Sequence, residues 1–142
     1  MDFFKCEVNS VEITNIITLG FACISVICLY GRYRSQHPEY HDPLMIKLGL
    51  YDLDGWSITH FGFNLFYGYY YPSHWWCAFL CGCLWEGFEH FYGETRPGFL
   101  GGFGDFKSTD PNVNNWWYGR ISDPIINLVG LVTGMHLARY NI

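Results

Sequence analysis

The sequence predicts an all-α fold: a compact polytopic membrane bundle of about four transmembrane helices, forming a single domain over residues 1–142. Three observations predict it. Charged residues make up 15% of the chain, against roughly 25% in an ordinary soluble domain. The apolar residues fall into four long stretches separated by polar connectors. Aromatics reach 20% and gather at the ends of those stretches, at Trp56, Tyr69, Tyr70, Tyr71, Trp75, Trp76, Trp116, Trp117 and Tyr140, as interfacial belts do. An aromatic content this high excludes a disordered chain. A net charge of −5 excludes the basic footprint of a nucleic-acid binder.

The first span covers residues 13–30 without one formal charge. At about 1.5 Å per residue it crosses most of a bilayer. Gly31-Arg32-Tyr33-Arg34 follows as a basic stop rather than a cleavage site, so the span reads as an uncleaved helix. Residues 31–55 form the first connector, which Pro38 and Pro43 keep from being a long helix. Within it, residues 44–51 read as a short interfacial helix or a strand-like approach to the membrane. The second span covers residues 56–72, and Pro72-Ser73-His74 makes a tight turn. The third covers residues 75–92. A second connector, residues 93–120, is rich in Gly, Pro, Asn and Asp, and the fourth span covers residues 121–139. The six cysteines form no CxxC pair and read as packing residues, with Cys6 alone outside an apolar run.

Basic residues orient such a bundle. The connectors hold Arg32, Arg34, Lys47, Arg96, Lys107 and Arg120, whereas the other side holds Lys5 and Arg139. Both connectors are therefore expected in the cytosol, with both termini outside or lumenal. The expected location is an integral, multi-pass protein of the endoplasmic reticulum or of a bacterial inner membrane.

Ionisable residues inside a span are costly and count as functional candidates. His60 lies near the connector end of the second span, Glu86 and Glu89 near that end of the third, and Asp123 and Asn127 near that end of the fourth. Helical spacing puts Ser57, His60, Asn64 and Gly68 on one face. Gly82, Glu86 and Glu89 share another, and Asp123, Asn127, Gly130 and Gly134 a third. Small residues in each stripe permit close helix approach. Three carboxylates at one depth cannot all stay ionised in low dielectric without a counter-charge. Either they share protons or a cation sits among Glu86, Glu89 and Asp123. An oxygen-rich site suits hard cations such as Ca²⁺ or Mg²⁺, with Mn²⁺ as an alternative, and Asn127 would add a neutral oxygen. The competing structural reading pairs these acids with Arg96 or Arg120. Asp54 is expected as an outer ligand or as the cap of the second span. His90 points off the main stripe, as a supporting partner of the site or an interfacial residue. His37 and His41 are a weak loop pair, and His74 and His136 face the opposite surface.

The ordered set Asp54, His60, Glu86-x-x-Glu89, Pro111-Asn112, Trp116-Trp117, Asp123-x-x-x-Asn127 and Gly130 resembles the core of the base-exchange phosphatidylserine synthases. It is also similar to small bacterial VanZ-like membrane proteins. The resemblance covers roughly residues 52–135 and leaves out the first span. It implies a calcium-dependent phosphatidyltransferase that exchanges a phospholipid head group for a small amino alcohol such as serine. It further implies His60 as general base, Glu86, Glu89 and Asp123 as metal-related residues, Asn127 as polar support and Asn112 as the Asn of the Pro-Asn stretch. Two positions depart from the synthases: Tyr118 stands where they carry Asp, and Asn114 or Asn115 where they carry Glu. The expected function is thus metal-dependent phospholipid head-group exchange at the membrane interface. The alternative is a non-catalytic membrane scaffold or partner subunit, associated with itself or with other chains, that retains a degenerate polar site. A transporter is disfavoured because the carboxylates lie near one end of the spans rather than midway.

Overall fold

The computed structural model describes residues 9–37, 41–49, 53–95 and 119–140. These form four α-helices and no strand: α1 (Ser10–Gln36), α2 (Gly55–Tyr70), α3 (Trp75–Thr95) and α4 (Ser122–Tyr140). Two 3₁₀ turns, Pro43–Met45 and Pro72–His74, precede α2 and α3 respectively. The all-α expectation holds. Asn112, Cys6 and most of the second connector lie outside the described residues.

The helix bounds correct the expected spans. α1 runs six residues past Tyr30, because nothing between Gly31 and Gln36 opposes a helix. It stops just before His37, whose own conformation is restricted by the following Pro38. Arg32 therefore sits on the helix and not in a connector. α2 ends at Tyr70 rather than residue 72, because Tyr71 precedes Pro72 and leaves the helical region at φ −130°. α3 continues three residues further, to Thr95, so Glu86 and Glu89 lie nearly one turn deeper in their helix than the expected bounds put them. The stretch before α2 is neither a helix nor a full strand. It is a 3₁₀ turn capped by Asp42, followed by a single antiparallel bridge between Lys47 and Asp54.

Among the described helices, one segment, Ser10–Tyr33 of α1, is long and apolar enough to cross a membrane by length and composition. α2, with 16 residues, is about 24 Å long, short of a hydrocarbon core of about 30 Å. α3 carries Glu86, Glu89 and Glu94, which lower its apolar character.

The helices run alternately up and down. At one end, Tyr30 near the close of α1 donates its hydroxyl to Asp42 at 2.8 Å, and its ring lies 5.9 Å from that of Trp56 at the start of α2. At the other end, Glu12 of α1 meets His74 of the α2–α3 turn at 2.8 Å. α2 and α4 are the most closely joined pair, and glycine is the reason. A Cβ on Gly68 would run into the Leu131 backbone, and one on Gly134 into the backbone at Leu65 and Tyr69. One on Gly130 would lie 2.5 Å from the Phe61 carbonyl oxygen. The Gly130-x-x-x-Gly134 spacing thus serves contact between two helices of the same chain.

Polar and apolar side chains share the interior, and many large apolar side chains face outward. Asp42, Asp54, Ser57, Asn64, His74, Glu86, Asp123 and Asn127 are buried, while Phe21, Leu29, Leu84, Ile58, Ile125 and Val132 are among the large apolar side chains left exposed. The apolar interior is small: Ile16, Tyr67, Cys77, Ala78 and Leu131 form its main cluster, with Tyr92 the centre of a second. Cys23, Cys28, Cys77, Cys81 and Cys83 are free thiols.

Gly130→Ala is expected to lower the melting temperature of the detergent-solubilised protein. Gly62→Ala, on an α2 position with no atom within 4 Å of the added methyl, should raise it slightly. Alanine is intrinsically better than glycine in a helix by about 1 kcal/mol, so only the steric conflict separates the two variants. A thermal melt in which both shift upward would remove the close α2–α4 approach.

Candidate metal centre

Asp54 sets the frame. Its carboxylate caps α2, accepting from the amides of Trp56 at 3.0 Å and Ser57 at 3.2 Å, while its own amide donates to the Ser57 hydroxyl at 3.3 Å. This reciprocal capping box satisfies donors that the first helical turn cannot pair internally. The second carboxylate oxygen lies 3.1 Å from the Arg120 guanidinium. Of the two roles expected for Asp54, the cap is the one its contacts fill.

Arg120 joins three helices. Its side chain reaches Asp54 at the start of α2, and its backbone amide donates to Glu86 Oε2 of α3 at 3.3 Å. Its carbonyl accepts from the Asp123 amide as α4 begins. The preceding residue must be small, because a Cβ on Gly119 would strike the Glu86 carbonyl and approach His90. The start of α4 is thereby pinned alongside Glu86, well below the end of α3 at Thr95. Of the structural pairings expected for the acids, Arg120 reaches Glu86 through its backbone amide and Asp54 through its guanidinium.

Beside this strap, His60 of α2 and Glu86 and Glu89 of α3 offer one ligand atom each within 4.8 Å of one another. The His60 Nδ1 atom is 3.6 Å from Glu86 Oε1. That oxygen is buried and has no hydrogen-bond partner among the described residues. Asp123, at 5% exposure, belongs to the same polar region, with Glu86, Glu89, His60, Arg120 and Asp54 as its ionisable neighbours. The expected ligand trio was Glu86, Glu89 and Asp123 with His60 alongside. The tightest grouping instead contains His60 and two of the acids, because the Arg120 strap draws the first turn of α4 toward Asp54.

Asn127 of α4 closes the centre from the side. Its Oδ1 accepts from His60 Nδ1 at 3.0 Å and from Asn64 Nδ2 at 2.6 Å. Asn64 also donates to the His60 carbonyl at 2.9 Å. Gly82 makes room for this amide, since a Cβ there would stand 3.0 Å from Asn127 Nδ2. The Asn127 oxygen, expected as polar support or as an extra metal ligand, is already engaged by two donors. Asn64 is the site residue that the sequence reading did not single out. The signal was present: a buried amide needs partners, and Asn64 follows His60 by one helical turn on the same face.

The remaining candidates lie elsewhere. His90 is exposed beside Gly119 and outside the cluster. His37 stacks on Tyr33 with ring centroids 4.3 Å apart, and His136 packs edge-on against Tyr140. His74 pairs with Glu12 at the opposite end.

The donor set fits a divalent cation. Two acids stand one turn apart on α3, Glu86 buried and Glu89 half-buried, and a buried Glu86 oxygen lacks the hydrogen bond that would stabilise its charge. A cation held by Glu86 and Glu89 would supply both the counter-charge and the missing partner.

Asp54→Ala is expected to destabilise the protein by about 1–2 kcal/mol through the lost cap, plus the cost of a half-buried Arg120 left without that partner. Asp54→Asn keeps a capping oxygen and loses only the charge. Unfolding by chemical denaturant should therefore rank wild type first, Asp54→Asn second and Asp54→Ala last. Comparison of the chain with family models, with curated proteins and with solved structures gives no match.

Proposed function

We propose that the chain is a four-span integral membrane protein that carries out metal-dependent exchange of phospholipid head groups. The observation that carries this reading is the convergence of His60, Glu86 and Glu89 around a buried carboxylate oxygen with no hydrogen-bond partner among the described residues. The buried polar groups and the exposed large apolar side chains support the membrane part. Lipid tolerates exposed Leu84, Ile125 and Val132, and it leaves polar groups no partners except one another. α2 would span by thinning the bilayer locally and through its aromatic ends.

Glu86 and Glu89, with Asp123 beside them, would hold a divalent cation, Ca²⁺ by the resemblance, with Mg²⁺ and Mn²⁺ as alternatives. Bound there, it would neutralise the phosphate of a lipid head group. His60 acts as the base that takes the proton of the incoming alcohol, serine or a similar small amino alcohol. Asn127 holds the imidazole from one side. Asp54 and Arg120 fix the helix ends around the site and keep it at the connector side, where a lipid head group and a water-soluble alcohol can meet.

A second reading has its own observation. The Arg120–Asp54 pair and the Arg120–Glu86 bond use site-region residues to lock three helices together. That is the pattern of a non-catalytic scaffold, and one pair of assays separates the two.

Calorimetric titration of the purified protein with Ca²⁺, Mg²⁺ and Mn²⁺ should give saturable binding. Glu89→Gln keeps the shape, removes one charge and should weaken binding at least tenfold. His60→Ala should retain metal binding and abolish incorporation of labelled serine into added phospholipid. Metal binding without exchange in the wild type assigns the scaffold role. No binding at millimolar concentration ends the metal reading.

The topology is tested by single cysteines placed in a cysteine-free background. Residues 47 and 95 should react with a membrane-impermeant maleimide from one side of sealed vesicles, and residue 9 from the other. Positions 47 and 95 labelling from opposite sides would sink the four-span arrangement.

A further inference from the structure

We infer that Asn64 is a positioning residue that acts through Asn127 to fix His60 as its Nδ1–H tautomer, leaving Nε2 as the nitrogen able to accept a proton. The hydrogen bonds that impose this begin at a group with one role only. The backbone carbonyl of His60 can only accept, so the Asn64 atom 2.9 Å away must be the Nδ2 amide. Asn64 therefore has a single side-chain orientation. The second proton of the same Nδ2 points to Asn127 at 2.6 Å, so the Asn127 atom there must be its oxygen. That oxygen lies 3.0 Å from His60 Nδ1. An amide oxygen carries no proton, so Nδ1 supplies the one that makes the bond. Glu86 Oε1 lies 3.6 Å from the same nitrogen, too far for a hydrogen bond, so Asn127 is the group that receives the Nδ1 proton. A neutral imidazole has one N–H, and with it on Nδ1 the lone pair is left on Nε2.

The opposite arrangement is self-defeating. Were Asn127 turned over, its Nδ2 would face the Asn64 amide and leave donor against donor. Asn64 and Asn127 are 5% and 1% exposed, so water is not at hand to mediate. Gly82 contributes by letting the Asn127 amide lie flat against α3. The chemical use of Nε2 rests on the reading of His60 as the base, whereas the tautomer itself does not.

The test is nitrogen NMR on the full chain, labelled with ¹⁵N-histidine and held in detergent micelles at a pH where the imidazole is neutral. Protonated and unprotonated ring nitrogens give separate signals, and those of His60 are the ones missing from His60→Gln. The wild type is expected to carry its proton on Nδ1. Asn64→Ala frees Asn127 to turn and should give a mixture of tautomers. Asn127→Asp still presents an acceptor oxygen to both neighbours and should keep the proton on Nδ1. If Asn64→Ala does not fold, Asn64→Asp removes the same donors at equal volume and is read in the same way. A wild-type His60 protonated on Nε2 overturns the proposal. So does an Asn64 variant whose His60 keeps the Nδ1–H form, because the tautomer then owes nothing to Asn64. The expected tautomers in a protein that neither binds a divalent cation nor exchanges serine would uphold this inference and end the functional reading alone.

Discussion

The contact between α2 and α4 is the constraint on which the rest of the structure depends. Gly68, Gly130 and Gly134 bring the two backbones close enough that a methyl group at any of them would collide with the facing helix. Only at that separation can the short side chains of Asn64 and Asn127 touch, and Asn127 in turn holds His60. Where the surroundings are lipid, no hydrophobic force draws helices together, and close van der Waals contact with interhelical hydrogen bonds must serve instead. Stripes of glycine and amide on the same two faces supply both at once.

α3 is attached differently. It meets α4 through polar contacts: the Arg120 amide on Glu86, and Gly119 lying against the α3 backbone at Glu86 and His90. The Asp54–Arg120 ion pair ties the same strap to α2. The site sits where the three attachments meet, so its acids and its histidine come from helices whose relative heights are fixed by one short segment. α1 is more peripheral. Tyr67 donates to the Ile16 carbonyl at 3.0 Å, Glu12 meets His74 and Tyr30 meets Asp42, while most of its apolar surface is exposed. A helix held at three points along its length can lie against the bundle without contributing to the site.

The same geometry explains why a buried acid is tolerated. Removing a carboxylate from water costs several kcal/mol unless its oxygens find partners. One Glu86 oxygen has the Arg120 amide, and the other has no hydrogen-bond partner among the described residues. A structural acid would be expected to satisfy both, and the unpaired oxygen is what favours the proposed binding site over a helix lock.

What the sequence determined by itself is local. Periodicity set the faces: Ser57, Asn64 and Gly68 on α2, and Asp123, Asn127, Gly130 and Gly134 on α4, are buried together as their spacing requires. Apolar stretches and prolines located four helices to within a few residues at most of their ends, and Asp54 as a candidate cap pointed to the start of α2. What only the tertiary structure decided is how far each helix slides and turns against its neighbours. That offset placed His60 rather than Asp123 in the tightest group with Glu86 and Glu89, gave Arg120 to Asp54, and made Asn64 part of the site. The physical reason is range. A helical stripe is fixed by bonds between residues four apart, whereas the height of α4 beside α3 depends on an amide, a guanidinium and a missing Cβ that meet residues more than thirty positions away.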